Sequence, residues 1–305
     1  MARHYNCGDR EHYRDGMPSN DLDADQIRRT ILAHGYRAGR VEVLESVDST
    51  NSYLAARAAD RETWGHGSVV VAHHQVGGRG RLGRAWVTPA GAALTMSVLV
   101  DAPENVLRRA PLLAGLAVYD TIAAVRGLRP AIKWPNDILL SVGSGEPARW
   151  RKVAGLLAQR VPAPGAGRAV IGVGLNTTIR AAQLPTPDAT SLLLAAEPGT
   201  AVPSRCELAG QIAGRLLAIL RAAAAGADRE QADRILGAMV TIGMRIRVER
   251  GSGDVLTGTA VGLASDGELV LKCDNGEIVA VTEGDVVHVR PAEHPKKSSL
   301  SARAT

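Results

Sequence analysis

The chain has 305 residues, of which 45% are hydrophobic and 22% charged, a balance typical of a globular protein long enough for a large core and two domains. Phenylalanine is absent and aromatic residues make up 3%, so we expect a core of alanine, valine, leucine and isoleucine. The net charge of +5 permits an acidic partner without requiring one. Three widely spaced cysteines exclude a disulfide framework and favour the reducing cytoplasm. The sequence predicts neither a signal peptide nor a membrane helix.

The N-terminal part divides into a polar stretch and a short helix. Residues 1–20 lack periodicity and are expected to be disordered. Asp21 to Ala33 is predicted to form a helix that buries Ile27, Ile31 and Leu32. Only about forty residues precede the first predicted strand, at residues 41–44, so we expect no DNA-binding winged helix and no DNA partner.

A polar run, Asp48-Ser49-Thr50-Asn51, opens the next predicted helix, which continues through Ala58. Aspartate, serine, threonine and asparagine all cap helix N-termini, but one capping residue is enough for a helix. Four such residues beside free backbone N–H groups are equally consistent with a pocket for a polar ligand head, and the sequence leaves both interpretations open.

The segment Gly77 to Arg84 contains four glycines and three arginines within eight residues. It lies between two predicted strands, Ser68–Ala72 and Ala92–Val100. Glycine lets the backbone approach a ligand with its N–H groups exposed, and arginine adds a charged donor fork suited to carboxylate or phosphate. We therefore expect this loop to hold a small anion.

Other interpretations of this loop are less consistent with its surroundings. Residues 78–83 match G-x-G-x-x-G, but a strand follows instead of the helix that a dinucleotide fold requires, and a Walker G-K-[ST] is absent. A solvated or nucleic-acid-binding Arg/Gly segment is usually repeated, whereas this one is a single copy between core strands.

One long apolar helix is predicted from about Glu104 to Arg126. Two apolar runs then flank the polar turn Lys133-Trp134-Pro135-Asn136-Asp137. Proline and asparagine can serve such a turn alone, yet a cation, an amide and a carboxylate within five positions also suit a nucleotide, with Asp137 near a Mg²⁺ ion.

Residues 141–151 are predicted to form a mobile insertion, followed by a buried strand, Lys152–Ala158. A lysine at a strand end is most often only solvated. A returning strand, Ala169–Asn176, carries Gly172 and Gly174 on one face, where something is expected to pack close to the backbone. Lys152 and Asn176 are then expected on adjacent strands.

The pattern changes at Thr241 to five short alternating strands joined in part by the hairpin turns Asp266-Gly267 and Asn275-Gly276. Five such strands predict a small barrel in a separate domain. The expected organisation is therefore a disordered extension at 1–20, a main domain at 21–240, a small β domain at 241–290 and a disordered tail at 291–305.

These clusters, in this order along the chain, resemble those of biotin protein ligase, also called biotin–[acetyl-CoA-carboxylase] ligase. The match runs from about residue 40 to 290, and the G-R-G-R-x-G-R and K-W-P-N-D motifs are individually specific. The resemblance implies an α/β (α+β) fold: a catalytic domain related to class II aminoacyl-tRNA synthetases, with a mixed sheet, and a C-terminal barrel of the Src-homology-3 type.

The resemblance also implies a reaction. Biotin and MgATP would give biotinyl-5′-AMP, and a lysine of a biotin carboxyl carrier domain of an acyl-CoA carboxylase would then accept the biotinyl group. The family pattern assigns catalysis to Lys152, Arg79 and Arg81, and Asp137 is the residue expected near magnesium. It assigns biotin contacts to Ser49, Thr50, Asn51, Gln75, Gly78, Arg79, Gly80, Arg81, Lys152, Gly155 and Gly172. It assigns ATP contacts to Arg81, Arg84, Lys133, Trp134, Asn136, Asp137, Lys152 and Asn176.

Two other functions remain as alternatives. A lipoate–protein ligase shares the fold, but its usual signature lacks the Arg/Gly run. A nucleic-acid-binding protein is expected to have aromatic side chains beside the cations, on which bases stack, and the loop contains no aromatic residue. A monofunctional cytoplasmic ligase, monomeric or weakly dimeric, is the expected protein.

Overall fold

The computed structural model describes residues 21–143, 149–162, 167–249, 254–282 and 284–288. The predicted terminal disorder and residues 144–148 of the predicted insertion lie outside these ranges. The helices are α1 Ala24–Ala33, α2 Thr50–Ala55, α3 Glu104–Arg108, α4 Ala110–Ala123, α5 Leu192–Ala195, α6 Arg205–Ala224 and α7 Asp228–Ala238. The strands are β1 Val41–Val47, β2 Ser68–Gln75, β3 Ala93–Asp101, β4 Pro130–Lys133, β5 Asp137–Val142, β6 Arg149–Val161, β7 Arg168–Asn176, β8 Arg245–Glu249, β9 Val255–Leu263, β10 Leu269–Cys273, β11 Ile278–Val281 and β12 Asp285–His288.

The main domain is built on a seven-stranded sheet with strand order β1-β2-β3-β7-β6-β5-β4. Only β1 and β2 pair in parallel, so the predicted mixed sheet is confirmed. The largest fully buried side chains are isoleucine, leucine and methionine, as expected for a chain without phenylalanine. None of the helices in the described part of the chain is long and apolar enough to cross a membrane.

Strand alternation gives the two faces of the sheet different chemistry. On one face, side chains such as Met96 and Ile171 join the main core beneath α1, α4, α6 and α7. The other face carries the short helix α2 over a smaller apolar cluster that includes Leu99 and Val170. Residues two positions along from these, Ser97 and Gly172, occupy that second face and leave room for polar side chains.

Two predictions about helices are wrong. The expected helix over 104–126 is two helices, α3 and α4, because Pro111 lacks an amide hydrogen and its ring excludes a continuous helix through the preceding turn. In α1, Ile27 and Ile31 are buried as predicted, but Leu32 is 59% exposed. Leu32 directly follows Ile31, and a step of 100° around the helix turns it away from the core.

The two described ends of the predicted insertion extend strands β5 and β6. β5 and β6 pair as far as Val142 and Arg149, so the described residues on either side of 144–148 belong to a regular hairpin arm. Lys152 and Asn176 lie on adjacent strands, β6 and β7, as predicted.

The C-terminal residues form a five-stranded antiparallel sheet with order β11-β10-β9-β8-β12, which confirms a small β domain. Gly267 and Gly276 have φ values of 89° and 86°, as the predicted hairpin turns require. The domain contacts the main domain through the indole Nε1 of Trp134, which donates to the carbonyl of Gly267 at 3.0 Å. Arg108 also pairs with Asp266 across this boundary, at 2.8 Å.

Candidate active site

The start of α2 joins a hydrogen-bonded group that we call the polar cluster, made of Thr50, Asn51, Gln75 and Ser97. Gln75 Oε1 accepts from the backbone N–H of Thr50 at 2.9 Å and lies 3.2 Å from Thr50 Oγ1. The hydroxyl of Ser97 lies 2.8 Å from Thr50 Oγ1 and 2.6 Å from Asn51 Oδ1. Apart from Gln75, which is half-buried, these side chains are buried.

The two sequence interpretations of the 48–51 run apply to different residues: capping is confirmed for Ser49, and a ligand pocket at Thr50 and Asn51 stays a prediction. Ser49 is the N-cap, and its side chain accepts from the backbone N–H of Ser52. Thr50 and Asn51 do not cap the helix but direct their polar atoms towards β2, β3 and β6, where Asn51 Nδ2 donates to the carbonyl of Leu157 at 3.1 Å. One residue starts the helix and the next two build a polar wall.

The glycines of β7 admit side chains of the protein itself, which identifies what packs against them. A Cβ at Gly172 would lie 2.2 Å from Asn51 Oδ1, so only glycine leaves room for the polar cluster. A Cβ at Gly174 would lie 2.5 Å from the indole of Trp86, and one at Gly155 on β6 would lie 3.1 Å from the same ring. Asn51 and Trp86 therefore lie side by side along one face of β6 and β7.

The Trp86 end of this face carries the charged residues, and we call Trp86, Asp137 and Lys152 the charged end. Lys152 Nζ forms a 2.6 Å ion pair with Asp137 Oδ1 and lies 5.6 Å from the centre of the Trp86 ring. The indole Nε1 of Trp86 is buried without an acceptor among the described residues. A buried N–H normally has an acceptor, so a ligand oxygen would suit this position.

The Arg/Gly segment is a β-hairpin-like loop whose ends are held by backbone hydrogen bonds. Gly77 N–H donates to Asp48 O at 2.8 Å, Gly80 N–H to Arg84 O at 2.7 Å and Trp86 N–H to Gly78 O at 2.8 Å. The first bond ties the loop to the start of α2, and the last bond places Trp86 over the sheet. The loop thus connects the polar cluster with the charged end.

The arginines of this loop differ in their surroundings. Arg79 and Arg84 are exposed, whereas Arg81 is half-buried, and its Nη1 donates to the carbonyl of Gly284 in the small β domain at 3.3 Å. Leu82 at the tip is 66% exposed. The loop stem is part of the candidate site, and its tip is exposed to solvent.

The K-W-P-N-D segment is the tight turn between β4 and β5, as predicted. The amide of Asn136 donates to Leu156 O at 2.7 Å, and that of Asn176 donates to Thr190 O at 2.9 Å, so both fix local backbone. The indole of Trp134 is directed to Gly267 in the small β domain, not to Lys152. Nucleotide contacts by these residues, and by Lys133 and Arg84, stay predictions.

Two residues of the site were missed by the sequence interpretation. Trp86 directly follows the Arg/Gly loop in a chain that is 3% aromatic, and its position was the available signal. Ser97 lies in an apolar strand, where a serine on the face of Thr95 was a weaker signal. Its partners are 46 and 47 residues away, so only the tertiary structure identifies them.

The described residues contain no group of three or more histidine, cysteine, aspartate or glutamate side chains placed to hold a metal. Asp137 alone offers a carboxylate at the charged end, and Lys152 pairs with it. Magnesium is often held by one or two protein carboxylates together with substrate phosphates, so this donor set suits a metal that arrives with a nucleotide.

A mixed α/β domain with these motifs and a small β domain defines a protein ligase of the biotin and lipoate class. The model of the "Biotin/lipoate A/B protein ligase family" matches residues 43–176, and that of the "Biotin protein ligase C terminal domain" matches residues 241–289. Biotin–[acetyl-CoA-carboxylase] ligase from Mycobacterium tuberculosis is 38% identical in an alignment of 278 residues that covers 88% of this chain and 96% of that protein. The chain belongs to the biotin protein ligase family.

Other relatives match a smaller share or a more distant sequence. The bifunctional ligase/repressor BirA of Salmonella typhimurium is 34% identical over 167 residues, 53% of this chain and 47% of its own length. The structure of biotin protein ligase from Aquifex aeolicus in complex with biotin and ATP has a TM-score of 0.65 and 25% identity. That comparison covers 82% of this chain and 99% of the other.

Proposed function

We propose that this protein activates biotin with ATP and transfers the biotinyl group to a lysine of a biotin carboxyl carrier domain. In the first step a carboxylate oxygen of biotin attacks the α-phosphorus of ATP and pyrophosphate leaves. In the second step the amine nitrogen of the acceptor lysine attacks the acyl carbon of the adenylate. AMP leaves, and the amine loses its proton.

One observation carries this proposal: the polar cluster and the charged end occupy one face of β6 and β7, with Asn51 against Gly172 and Trp86 against Gly174. Same-face residues two apart in a strand are about 7 Å from each other. An elongated acid with a polar head fits this arrangement, with its head at Thr50 and Asn51 and its carboxylate towards Lys152. Biotin has a ureido head, an aliphatic chain and a terminal carboxylate.

The charges of the site suit the first step. A carboxylate and a phosphate repel each other as they approach, and fixed cations in a site shielded from water offset that repulsion. Lys152 supplies one cation at the carboxylate end, and Arg79 and Arg81 supply two more from the loop. Closure of the loop would also exclude water from the reactive adenylate.

Trp86 adds an aromatic surface to the same end. Its ring covers the backbone at Gly155 and Gly174, so a substrate that lies along β6 and β7 must contact or displace it. Its N–H is available to a ligand oxygen. We assign Trp86 to the substrate-binding residues.

We propose that Mg²⁺ enters with ATP and is held by Asp137 and the nucleotide's phosphates. When bound, the metal neutralises phosphate charge and orients the leaving pyrophosphate. The carboxylate of Asp137 would then be shared between the metal and Lys152, and the Lys152 ammonium group would be available to the biotin carboxylate. The chain's own contribution is thus to hold a cation and an anion together until both substrates arrive.

The acceptor and the compartment are also proposals. The acceptor is a carrier domain of an acyl-CoA carboxylase, and the reaction takes place in the cytoplasm. Cys206 and Cys273 are free, which suits a reducing compartment.

The test is release of pyrophosphate from ATP by the purified protein, with biotin, with lipoate and with neither. Biotin alone should stimulate release, and addition of a carrier domain should lead to a biotinylated lysine detected by mass spectrometry. Stimulation by lipoate but not by biotin would favour the lipoate-ligase alternative. A rate of pyrophosphate release that is the same with biotin, with lipoate and with neither would reject the proposed function.

A further inference from the structure

The polar cluster has fewer protons than short oxygen contacts, and this restricts where each proton lies. The amide of Asn51 is the fixed point. A backbone carbonyl can only accept, so the group 3.1 Å from Leu157 O must be the Nδ2 donor of Asn51. Asn51 Oδ1 therefore faces Ser97, at 2.6 Å, and has to accept from it.

Ser97 has a single hydroxyl proton, and that proton is committed to Asn51. The 2.8 Å contact between Ser97 Oγ and Thr50 Oγ1 then needs a proton from Thr50, because two oxygen lone pairs repel at that distance. The hydroxyl of Thr50 is therefore also committed. The chain of hydrogen bonds therefore runs from the Thr50 hydroxyl to Ser97 Oγ, from the Ser97 hydroxyl to Asn51 Oδ1, and from Asn51 Nδ2 to Leu157 O.

The remaining contact in the cluster is left without a proton. Gln75 Oε1 is oriented by the backbone N–H of Thr50, from which it accepts at 2.9 Å. Thr50 Oγ1 and Gln75 Oε1, 3.2 Å apart, are then two acceptor oxygens side by side. Ser97 is fully buried, so water does not readily replace its hydroxyl.

We infer that Ser97 is a positioning residue that makes Thr50 Oγ1 an obligate acceptor, so that the cluster selects ligand heads that present an N–H donor. This inference rests on the proposed function, because the ureido ring of biotin offers such N–H groups. The dithiolane head of lipoate offers none. Ser97 would thus contribute to the choice between the two acids without touching either.

The test is biotin binding to Ser97→Ala, measured by calorimetry beside ATP binding. Without Ser97, the Thr50 proton can turn to Gln75 Oε1, and the acceptor pair is lost. We expect the Kd for biotin to rise on the order of tenfold, as for loss of a buried hydrogen bond, and the Kd for ATP to change less than about twofold.

Ser68→Ala is the matched control. Ser68 is a fully buried serine on β2 whose Oγ accepts from Arg40 N–H at 3.1 Å, so its variant should lower stability but not biotin affinity.

A double-mutant cycle with Thr50→Val separates positioning from general loosening. If Ser97 acts through the Thr50 hydroxyl, Ser97→Ala should have little further effect once that hydroxyl is gone. Biotin methylated on the ureido nitrogens is a second probe. The wild type should discriminate strongly against it, and Ser97→Ala should discriminate less.

Several outcomes would overturn the inference. The first is an unchanged biotin Kd in Ser97→Ala, and the second is an equal loss of biotin and ATP affinity. The third is a double variant whose biotin Kd rises by the product of the two single-variant factors. If Ser97→Ala does not fold, the wild-type protein still provides a test. Binding of methylated biotin with the same Kd as biotin would then overturn the inference. Failure of the proposed function gives a different result: biotin binds with the expected Ser97 dependence, but no pyrophosphate is released.

Discussion

Lys152 and Asp137 form the ion pair at the charged end of the candidate site. The Lys152 side chain is 37% exposed, so the 2.6 Å pair lies where solvent screens it and its contribution to stability is small. The same exposure leaves the ammonium group accessible to an incoming carboxylate. A lysine at a strand end is usually only solvated, but this one lies beside the Trp86 ring on a glycine-lined face.

Lys152→Ala should therefore fold with a melting temperature near that of the wild type but fail to form the adenylate. A thermal melt beside pyrophosphate release separates the two effects. Lys272→Ala, which removes an exposed lysine from β10, is the control and should match the wild type in both assays. Normal activity of Lys152→Ala would make this lysine a surface residue only.

Arg81→Ala should lower the rate of adenylate formation about a hundredfold, because removing one charged donor at a developing charge costs on the order of 3 kcal/mol. Single-turnover formation of biotinyl-5′-AMP measures this rate directly. Arg229→Ala, an exposed arginine of α7, serves as the control. Wild-type rates in Arg81→Ala would remove Arg81 from the catalytic residues.

A buried arginine outside the site predicts the acid stability of the fold. Arg168 is buried and donates to both carboxylate oxygens of Asp101, at 2.6 and 2.7 Å. These hydrogen bonds hold the pKa of Asp101 below its usual 3.8. Because the folded pKa is lowered, the stabilisation is fully present above the unfolded pKa and is lost as pH falls through the folded value.

Asp101→Asn should lower the free energy of unfolding at pH 7 by roughly 2–3 kcal/mol, because it leaves the Arg168 guanidinium buried without its counter-ion. The difference from the wild type should begin to shrink as pH falls below 3.8, the unfolded pKa, and should be lost as pH falls through the lower folded pKa of Asp101. Urea unfolding at several pH values measures it. Asp274→Asn breaks an equally bidentate pair with Arg245 that is exposed, and it should unfold like the wild type. Equal effects of the two substitutions would contradict the role given to burial.

Among the elements, the Arg/Gly loop is the one whose conformation should depend on ligand. Its stem has regular backbone hydrogen bonds, but Leu82 at its tip is exposed and has a positive φ of 55°. Four glycines give the free chain high conformational entropy, and three arginines repel each other until an anion lies among them. Biotin and ATP supply that counter-charge.

Trypsin should therefore cut the free protein after Arg79, Arg81 or Arg84, and biotin with MgATP should protect these sites. Mass spectrometry of the fragments identifies the cleaved bonds over time. Protection is expected to be slight with ATP alone, because the adenylate brings both anions to the loop. Cutting at the same rate with and without ligands would contradict ligand-induced ordering.

The elements show what local sequence could and could not predict. Strands β2, β3, β6 and β7 follow from apolar runs bounded by glycine and proline, and the small β domain follows from its alternation and hairpin turns. The break between α3 and α4 depends on Pro111, whereas the apolar pattern on both sides of it predicts one continuous helix. Ser97 and Trp86 could not be assigned, because their roles depend on the register of β3 against β7 and on the path of the loop over β6.

At the level of the whole molecule, the two domains meet at the residues that carry the motifs. Trp134 donates from its indole to Gly267, while its backbone N–H donates to Thr241 Oγ1 at 3.2 Å. Asp137 begins β5 three residues later and pairs with Lys152. The small β domain therefore supports the turn that positions the charged end, and Arg81 reaches the same domain from the loop.

Trp134→Phe should weaken this support selectively. The substitution keeps an aromatic ring but removes the donor to Gly267, at a cost of about 1 kcal/mol. Because the altered turn carries Asn136 and Asp137, we expect the KM for ATP to rise several-fold while the KM for biotin stays near that of the wild type. Steady-state pyrophosphate release with each substrate varied in turn gives both values. Arg108→Ala is the control, since it breaks the partly exposed ion pair with Asp266 at the same boundary but leaves the turn intact. A lower melting temperature with both KM values unchanged would mean that the contact joins the domains without positioning the nucleotide side of the site.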